Sequence, residues 1–321
     1  MAQFEVKDGE AIIPEGTTSI PITAFRECES LRRVTIPESV TTIGNHAFVH
    51  CHSLEEVVIQ NGVLEIEDGA FSSCTSLKCI TIPDSVKKIG YDVFAGCISL
   101  ECILGKFSTE DKRSLVVDGE LIAVAGNGLI YYAIPDNVSS IGYAAFFACK
   151  SLRAITIPES VNEIGEFAFY GCTSLENIII PNGIVKIGES TFAGCTSLQS
   201  ITLPDSIIEF GARAFSNCES LKSISIPENV KEIGCYTFYG CSSLTCITIP
   251  DKVTKINMSA LEGCAILENV TFLDRLKLGH NVLKGCDMLK VINVPPQCVD
   301  YYKEQMPENM GQFIAENNKS K

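Results

Sequence analysis

Residues 31–54 read LRRVTIPESVTTIGNHAFVHCHSL, and the same frame returns as LRAITIPESVNEIGEFAF from Leu152 and as LKSISIPENVKEIGCYTF from Leu221. The shared positions are L-x-x-I-x-I-P-x-x-V-x-x-I-G-x-x-A-F. The block Phe48-x-x-Cys51-x-x-Leu54 recurs as Phe71, Cys74, Leu77 and as Phe94, Cys97, Leu100, a step of 23 residues. Cys28 begins this series, and Cys149, Cys172, Cys195, Cys218, Cys241, Cys264 and Cys286 continue it, the last arriving one residue early. A fixed period of this length is the signature of a repeat array, which grows in one dimension instead of dividing into globular domains.

Each repeat has a physical reading. In L-x-x-I-x-I the apolar Leu31, Val34 and Ile36 point inward, the last two with the strand period of two. Pro37 ends the strand, because it lacks a ladder donor and fixes φ. A second extended piece follows. Gly44 then permits a corner that a Cβ would obstruct, and Ala47 and Phe48 face the core from a short helical turn on the opposite wall. One repeat cannot bury its own apolar face, so neighbours must stack, with strands roughly 4.8 Å apart in a parallel sheet.

Between Cys97 and Cys149 the period stretches. Leu129-x-x-Tyr132-x-Ile134-Pro135 still fits the strand frame, so the interval holds one elongated repeat and not a linker. Its inserted text, RSLVVDGELIAVAGNGLIYY, places two apolar runs on either side of Asp118-Gly119, a hairpin signal, with a second turn at Gly126-Asn127-Gly128. The expectation is a hairpin that protrudes from the stack. The ends depart from the frame. Residues 3–13 suggest a capping strand pair around Asp8-Gly9, and residues 297–310 a terminal helix. Leu261 and Leu283 replace Phe and Leu273 replaces Pro, which predicts looser packing there. The whole reads as a single domain over 1–321: an N-terminal cap (1–13), repeats (14–102), the elongated repeat (103–128), repeats (129–294), and a C-terminal cap and tail (295–321).

Composition narrows the function. Lys and Arg total 25 against 39 Asp and Glu, a net charge of −14. Phosphate binding needs clustered cations, so nucleic acid is not an expected partner. No apolar run is long enough for a spanning helix, so no membrane insertion is expected. The N-terminal MAQFEVKDGE has neither a basic n-region nor an apolar h-region, so no secretory signal is expected.

The frame I-P-x-x-V-x-x-I-G-x-x-A-F-x-x-C-x-S-L, at its 23-residue step, resembles the BspA-like class of leucine-rich repeats over about residues 11–295. The hairpin text and the segment VPPQCVDYYKEQMP are similar to what that class carries. The resemblance implies a leucine-rich-repeat solenoid. It would be a right-handed superhelix with a parallel β-sheet on one face, short helical or 3-10 turns on the other, and an inserted β-hairpin. It also implies non-catalytic protein binding, in cell-surface or secreted adhesion to host extracellular matrix or other cell-surface proteins. An intracellular interaction scaffold is the alternative, motivated by the absent signal and by free thiols, which suit a reducing compartment.

The 16 cysteines divide in two. Eleven share one repeat position and are expected as a buried column of free thiols, each acting as a small hydrophobe. Of the other five, Cys79 and Cys102 occupy the same outward strand position in adjacent repeats and are the pair to watch. His46 and His50, four apart on the expected helical turn with His52 nearby, invite a metal reading, but a closed zinc site needs four ligands and no further ligand stands at a fixed spacing. No metal, cofactor or catalytic residue is expected: no phosphate loop opens a helix, and no His pairs by spacing with a nucleophile. The sequons at Asn137, Asn257 and Asn269 matter only on a eukaryotic secretory path.

That leaves the outward strand positions as the candidate binding face. One column is largely threonine, which β-propensity alone explains. The neighbouring columns vary in charge, and Tyr131 is their only aromatic residue. Aromatic residues are enriched at interface hot spots, so Tyr131 is the expected contact centre, flanked by Glu101 and Arg153, with Arg32, Arg33, Glu55 and Glu176 on the same face. A monomer is expected.

Overall fold

A computed structural model describes residues 4–306, 309 and 313–315. The chain forms two compact units, Met1–Ile130 with Asn137–Leu152 and Tyr131–Asp136 with Arg153–Lys321. Each is a parallel-sheet solenoid.

In the first unit, Glu5–Lys7 and Glu10–Ile12 pair antiparallel around Asp8 (φ 54°) and Gly9 (φ 83°), both in the left-handed region that a tight hairpin demands. Glu10–Ile12 runs parallel to Arg33–Ile36, which pairs with Glu56–Ile59 in the register Arg33↔Glu56. Cys79–Ile82 pairs with Cys102–Gly105 in the same way. Val34, Ile36, Val57 and Ile59 point into the core and the residues between them point out. The second extended piece of each repeat builds a narrow sheet of two-residue strands, Ser19–Ile20, Thr42–Ile43, Glu65–Ile66 and Lys88–Ile89. At the corner that follows, a Cβ on Gly44 would meet the Ile20 carbonyl oxygen at 2.8 Å, which explains the glycine.

The opposite wall has 3-10-type bonds without a helix. Ala47 N–H donates to Gly44 O, Val49 to His46 O and Cys51 to Phe48 O. The alternate amides of His46, Phe48 and His50 instead donate to Asp68, Ala70 and Ser72 of the next repeat, at 2.8–3.0 Å. A continuous helix would consume every amide locally. Sharing them between the turn and its neighbour forces an alternating backbone, and His46 (φ 52°) and His50 (φ 59°) pay that strain.

Phenylalanines stack along the interior, with ring centroids 4.9 Å apart for Phe25–Phe48 and 5.1 Å for Phe48–Phe71. The cysteine column lies beside them. Most of these thiols donate to the phenylalanine carbonyl of the preceding repeat, as Cys51 does to Phe25 O at 3.0 Å and Cys74 to Phe48 O at 3.2 Å. The thiol is thus a donor as well as a small hydrophobe.

The inserted hairpin does not protrude. Ser114–Val117 and Glu120–Val124 pair antiparallel, and the second strand continues parallel to Ser140–Ile141, so it takes a place in the narrow sheet. The cause is its composition: Leu115, Leu121, Ile122, Ala123 and Val124 are all buried, which a projecting ribbon could not achieve.

In the second unit, Tyr131–Ala133, Ala154–Thr156, Asn177–Ile179 and Ser200–Thr202 form one broad parallel sheet. Cys246–Ile249, Asn269–Phe272, Val291–Val294 and the backbone of Phe313–Ala315 form another. Residues 221–227 fit the strand frame but form no strand between them; their flanking bonds, Lys222 N–H to Gln199 O and Thr245 N–H to Lys222 O, stretch to 3.5 and 3.3 Å. The phenylalanine stack runs Phe169–Phe192–Phe215–Phe238 at 5.3, 5.6 and 5.5 Å. Leu261 and Leu283 fill the later phenylalanine positions and are buried. At the C-terminal end a 3-10 turn, Pro296–Cys298, leads into the helix Val299–Gln305, shorter than the 297–310 expected. Residues 307, 308 and 310 of that expected helix lie outside the described residues. Tyr302 stacks on Phe272 at 4.9 Å, donates to Asp274 O at 2.6 Å and accepts from Leu276 N–H at 3.1 Å.

Candidate functional site: the outward strand face

The outward positions of the broad sheets carry the seven residues singled out from the sequence, and most are already partnered. In the first unit Arg32 lies 3.7 Å from Glu55, and Arg33 lies 2.8 Å from Glu56, each pair spanning adjacent strands in register. Glu101 accepts a hydrogen bond from Asn127 Nδ2 at 3.2 Å. In the second unit Arg153 Nε donates to Glu176 Oε1 at 2.9 Å, and this bond pushes the guanidinium pKa further up. Exposed cross-strand pairs fix register more than they stabilise. At the Arg–Glu pairs a partner that buries these groups therefore meets paired and not lone charges, whereas Glu101, held by a neutral amide, keeps its charge.

Tyr131 is different. Its side chain is 69% exposed, it stands opposite Ala154 in the ladder, and Arg153 lies near enough to interact with it electrostatically. Ile179, on the strand Asn177–Ile179, is also 69% exposed. Ile179 falls in the column that is half threonine; the signal that it differs was its size and apolarity at a position where six of twelve repeats place Thr.

Cys79 and Cys102, opposite each other in the ladder with Cα atoms 4.8 Å apart, form a disulfide on this face. The remaining 14 cysteines are free, and of these only Cys246 is exposed. Burial pushes the Cys51, Cys149, Cys195, Cys241 and Cys286 thiols up to about 12.

Two other places were candidates for chemistry. In the first unit the elongated repeat leaves a cavity of about 170 Å³, lined in part by Cys97, Ala123, Val124 and Cys149. Its Cys149 thiol is held protonated by burial, and a thiol is not a nucleophile until it ionises. The His50 and His52 rings stand 5.7 Å apart. His46 and His50 both have left-handed backbone and do not lie on a helix, so the i, i+4 geometry expected of them does not arise. Among the described residues no three His, Cys, Asp or Glu side chains gather as metal ligands.

A stacked-phenylalanine core, a thiol column and a 23-residue frame make the comparison with known proteins specific. The profile of the BspA type leucine rich repeat region matches in 6 copies, over residues 7–111, 125–241 and 209–312. The chain belongs to this family. This BspA-type chain is similar to a leucine rich cell surface protein of Faecalibacterium prausnitzii, at 34% identity and a TM-score of 0.64, over 79% of this chain and 63% of that one. It is also similar to a leucine-rich repeat protein of Bacteroides ovatus, at 26% identity and TM-score 0.56, over 96% of this chain and 94% of that one. A third, from Eubacterium ventriosum, matches at 24% identity and TM-score 0.60, over 79% and 82% of the two chains, and shows the fold alone. The chain thus spans 63% of the Faecalibacterium structure's length. No curated protein matches it. Leucine-rich repeat proteins are in general non-enzymatic and bind proteins. No helix among the described residues is long and apolar enough to cross a membrane.

Proposed function

We propose that this BspA-type protein is a non-catalytic protein-binding module that works in adhesion at a bacterial cell surface. The contact centre is the outward strand face of the second unit around Tyr131 and Ile179, with Arg153 and Glu176 beside them. The observation that carries the proposal is Tyr131: a large aromatic 69% exposed on a rigid parallel sheet whose neighbouring charges are already paired. Such a ring, with only two side-chain torsions to fix on binding, suits a hot spot. The surface location is supported by the similar Faecalibacterium cell surface protein and by the Cys79–Cys102 disulfide, which belongs in an oxidising compartment. The intracellular scaffold leaned on free surface thiols, and this pairing removes two of them.

The test is capture of host extracellular-matrix proteins and bacterial surface proteins on the immobilised chain, followed by affinity measurement on whatever binds. Tyr131→Ala is expected to weaken the interaction tenfold or more while leaving the thermal midpoint unchanged. An unaltered affinity in Tyr131→Ala and Ile179→Arg would move the contact elsewhere and refute the assignment.

A further inference from the structure

On the turn wall of the second unit lies a groove of about 650 Å³ that the strand-face reading does not use. Its columns follow the repeat. Tyr170, Ala193, Ser216, Tyr239, Glu262 and Lys284 occupy one position in successive repeats, so the groove runs five repeat steps, or about 24 Å at the inter-strand spacing. Two tyrosines bracket a floor of small side chains, Ala193 and Ser216, where the neighbouring Gly194 adds no bulk. Tyr236, from the adjacent column, meets Tyr239 edge-on at 5.8 Å. Arg213 lies over the Tyr236 ring, its guanidinium carbon 5.0 Å from the centroid.

The chemistry of this lining selects a ligand class. An extended peptide that pairs by its main chain needs unused backbone donors. Here the amides of Arg213, Phe215 and Asn217 donate to Cys235, Thr237 and Tyr239 of the next repeat, and those of Tyr236, Phe238 and Gly240 donate to the one after. Recognition is left to side chains. Tyrosine faces offer flat apolar platforms for the C–H faces of pyranose rings, with hydroxyls at their rims. The exposed amides of Asn217 and Asn281 each present both a donor and an acceptor, the combination that adjacent sugar hydroxyls require. The charges add a further constraint. Lys284 is neutralised by Glu262 at 3.2 Å, whereas no carboxylate among the described residues pairs with Arg213. In a chain of net charge −14, a cation left unpaired inside an aromatic groove is poised for a carboxylate from outside, which a guanidinium grips with two parallel bonds.

We infer that this groove binds an acidic oligosaccharide, its sugar rings lying on Tyr170 and Tyr239 and its carboxylate meeting Arg213. Hexuronic-acid polymers and sialylated glycans share that chemistry. The probes are tetragalacturonate, a hyaluronan tetrasaccharide, 3′-sialyllactose, neutral cellotetraose and an acidic heptapeptide, each titrated into the full chain by calorimetry and saturation-transfer NMR.

At least one acidic saccharide is expected to bind, and which one identifies the source. Its affinity is expected to fall tenfold or more in Tyr239→Ala and in Arg213→Gln, with Tyr131→Ala unaffected. These side chains lie on the surface, so an unchanged thermal midpoint separates lost binding from lost fold. Equal binding of cellotetraose with no effect of Arg213→Gln overturns the acidic recognition. Binding of the peptide alone, or of no saccharide at millimolar concentration, overturns the site. Failure here leaves the strand-face proposal standing, because Tyr131 belongs to the other wall.

Discussion

Raising the pH should unfold this protein through its cysteine column, and the size of the effect follows from burial. Cys51 and Cys149 in the first unit, and Cys195, Cys241 and Cys286 in the second, have thiols pushed from 9.0 to about 12, first of all by desolvation. With the folded pKa above the unfolded one, the native state holds protons that the unfolded chain has already released. Stability is therefore intact below pH 9 and is lost as the pH rises from about 9 towards about 12. At pH 10 each such thiol costs about 1.4 kcal/mol relative to neutral pH. The two in the first unit together cost about 3 kcal/mol and the three in the second about 4, against a typical total of about 5–15. Cys74, Cys218 and Cys264, also pushed up by burial, add to this. The assay is urea unfolding followed by far-UV circular dichroism at pH 8, 9 and 10 in degassed buffer. The midpoint is expected to fall steeply between pH 9 and 10. The double variant Cys195→Ala/Cys241→Ala should flatten the pH dependence, and Cys246→Ala, at an exposed site, should not. Coincident midpoints at pH 8 and 10 would refute the argument that these thiols are dry and un-ionised in the fold.

Alkylation of the native protein without reductant should label Cys246 readily and the half-buried Cys28 and Cys235 more slowly. Denaturation should bring the count to 14, and reduction to 16; a native count near 14 would contradict the buried column. Phe192→Ala removes a fully buried ring stacked on Phe169 and Phe215 and should cost about 3–5 kcal/mol in chemical denaturation. A loss under 1 kcal/mol would mean the core collapses around the gap. Tyr302→Phe leaves the Leu276 amide and the Asp274 carbonyl without the hydroxyl that joins them, an expected loss of about 1–3 kcal/mol, read as a lowered thermal midpoint with the helix signal retained.

Much of this architecture was legible because one number, the repeat step, converts sequence separation into contact. Residues 23 apart are neighbours in the ladder, so the pairing of Arg33 with Glu56 and of Cys79 with Cys102 follows from their spacing. The hairpin turn at Asp118-Gly119 was legible from its residue types. Its placement was not, because alternation tells which residues are apolar and not which sheet will accept them; burial of Leu121 and Ala123 decided that. The thiol's second role was hidden as well. Sequence places Cys three residues after Phe in most repeats, but the bond runs back to the preceding repeat, as from Cys218 to Phe192 O at 3.2 Å.

The turn wall was the least legible part, for a physical reason. Left-handed backbone is normally announced by glycine or asparagine, yet here His46, Phe167, Arg213, Tyr236 and Ser259 all adopt it. Inter-repeat hydrogen bonds impose the conformation from outside, so the side chains at these positions are released from conformational duty. Each strained residue's amide is held by a backbone bond to the next repeat that does not depend on its side chain, as the Arg213 amide is by Cys235 O at 2.8 Å. The strand face has less freedom, since its residues must also suit a pleated sheet. A wall whose backbone is fixed by its neighbours is thus free to vary its chemistry repeat by repeat. That freedom is what places three tyrosines and an unpaired arginine in one groove of a scaffold that is otherwise nearly uniform.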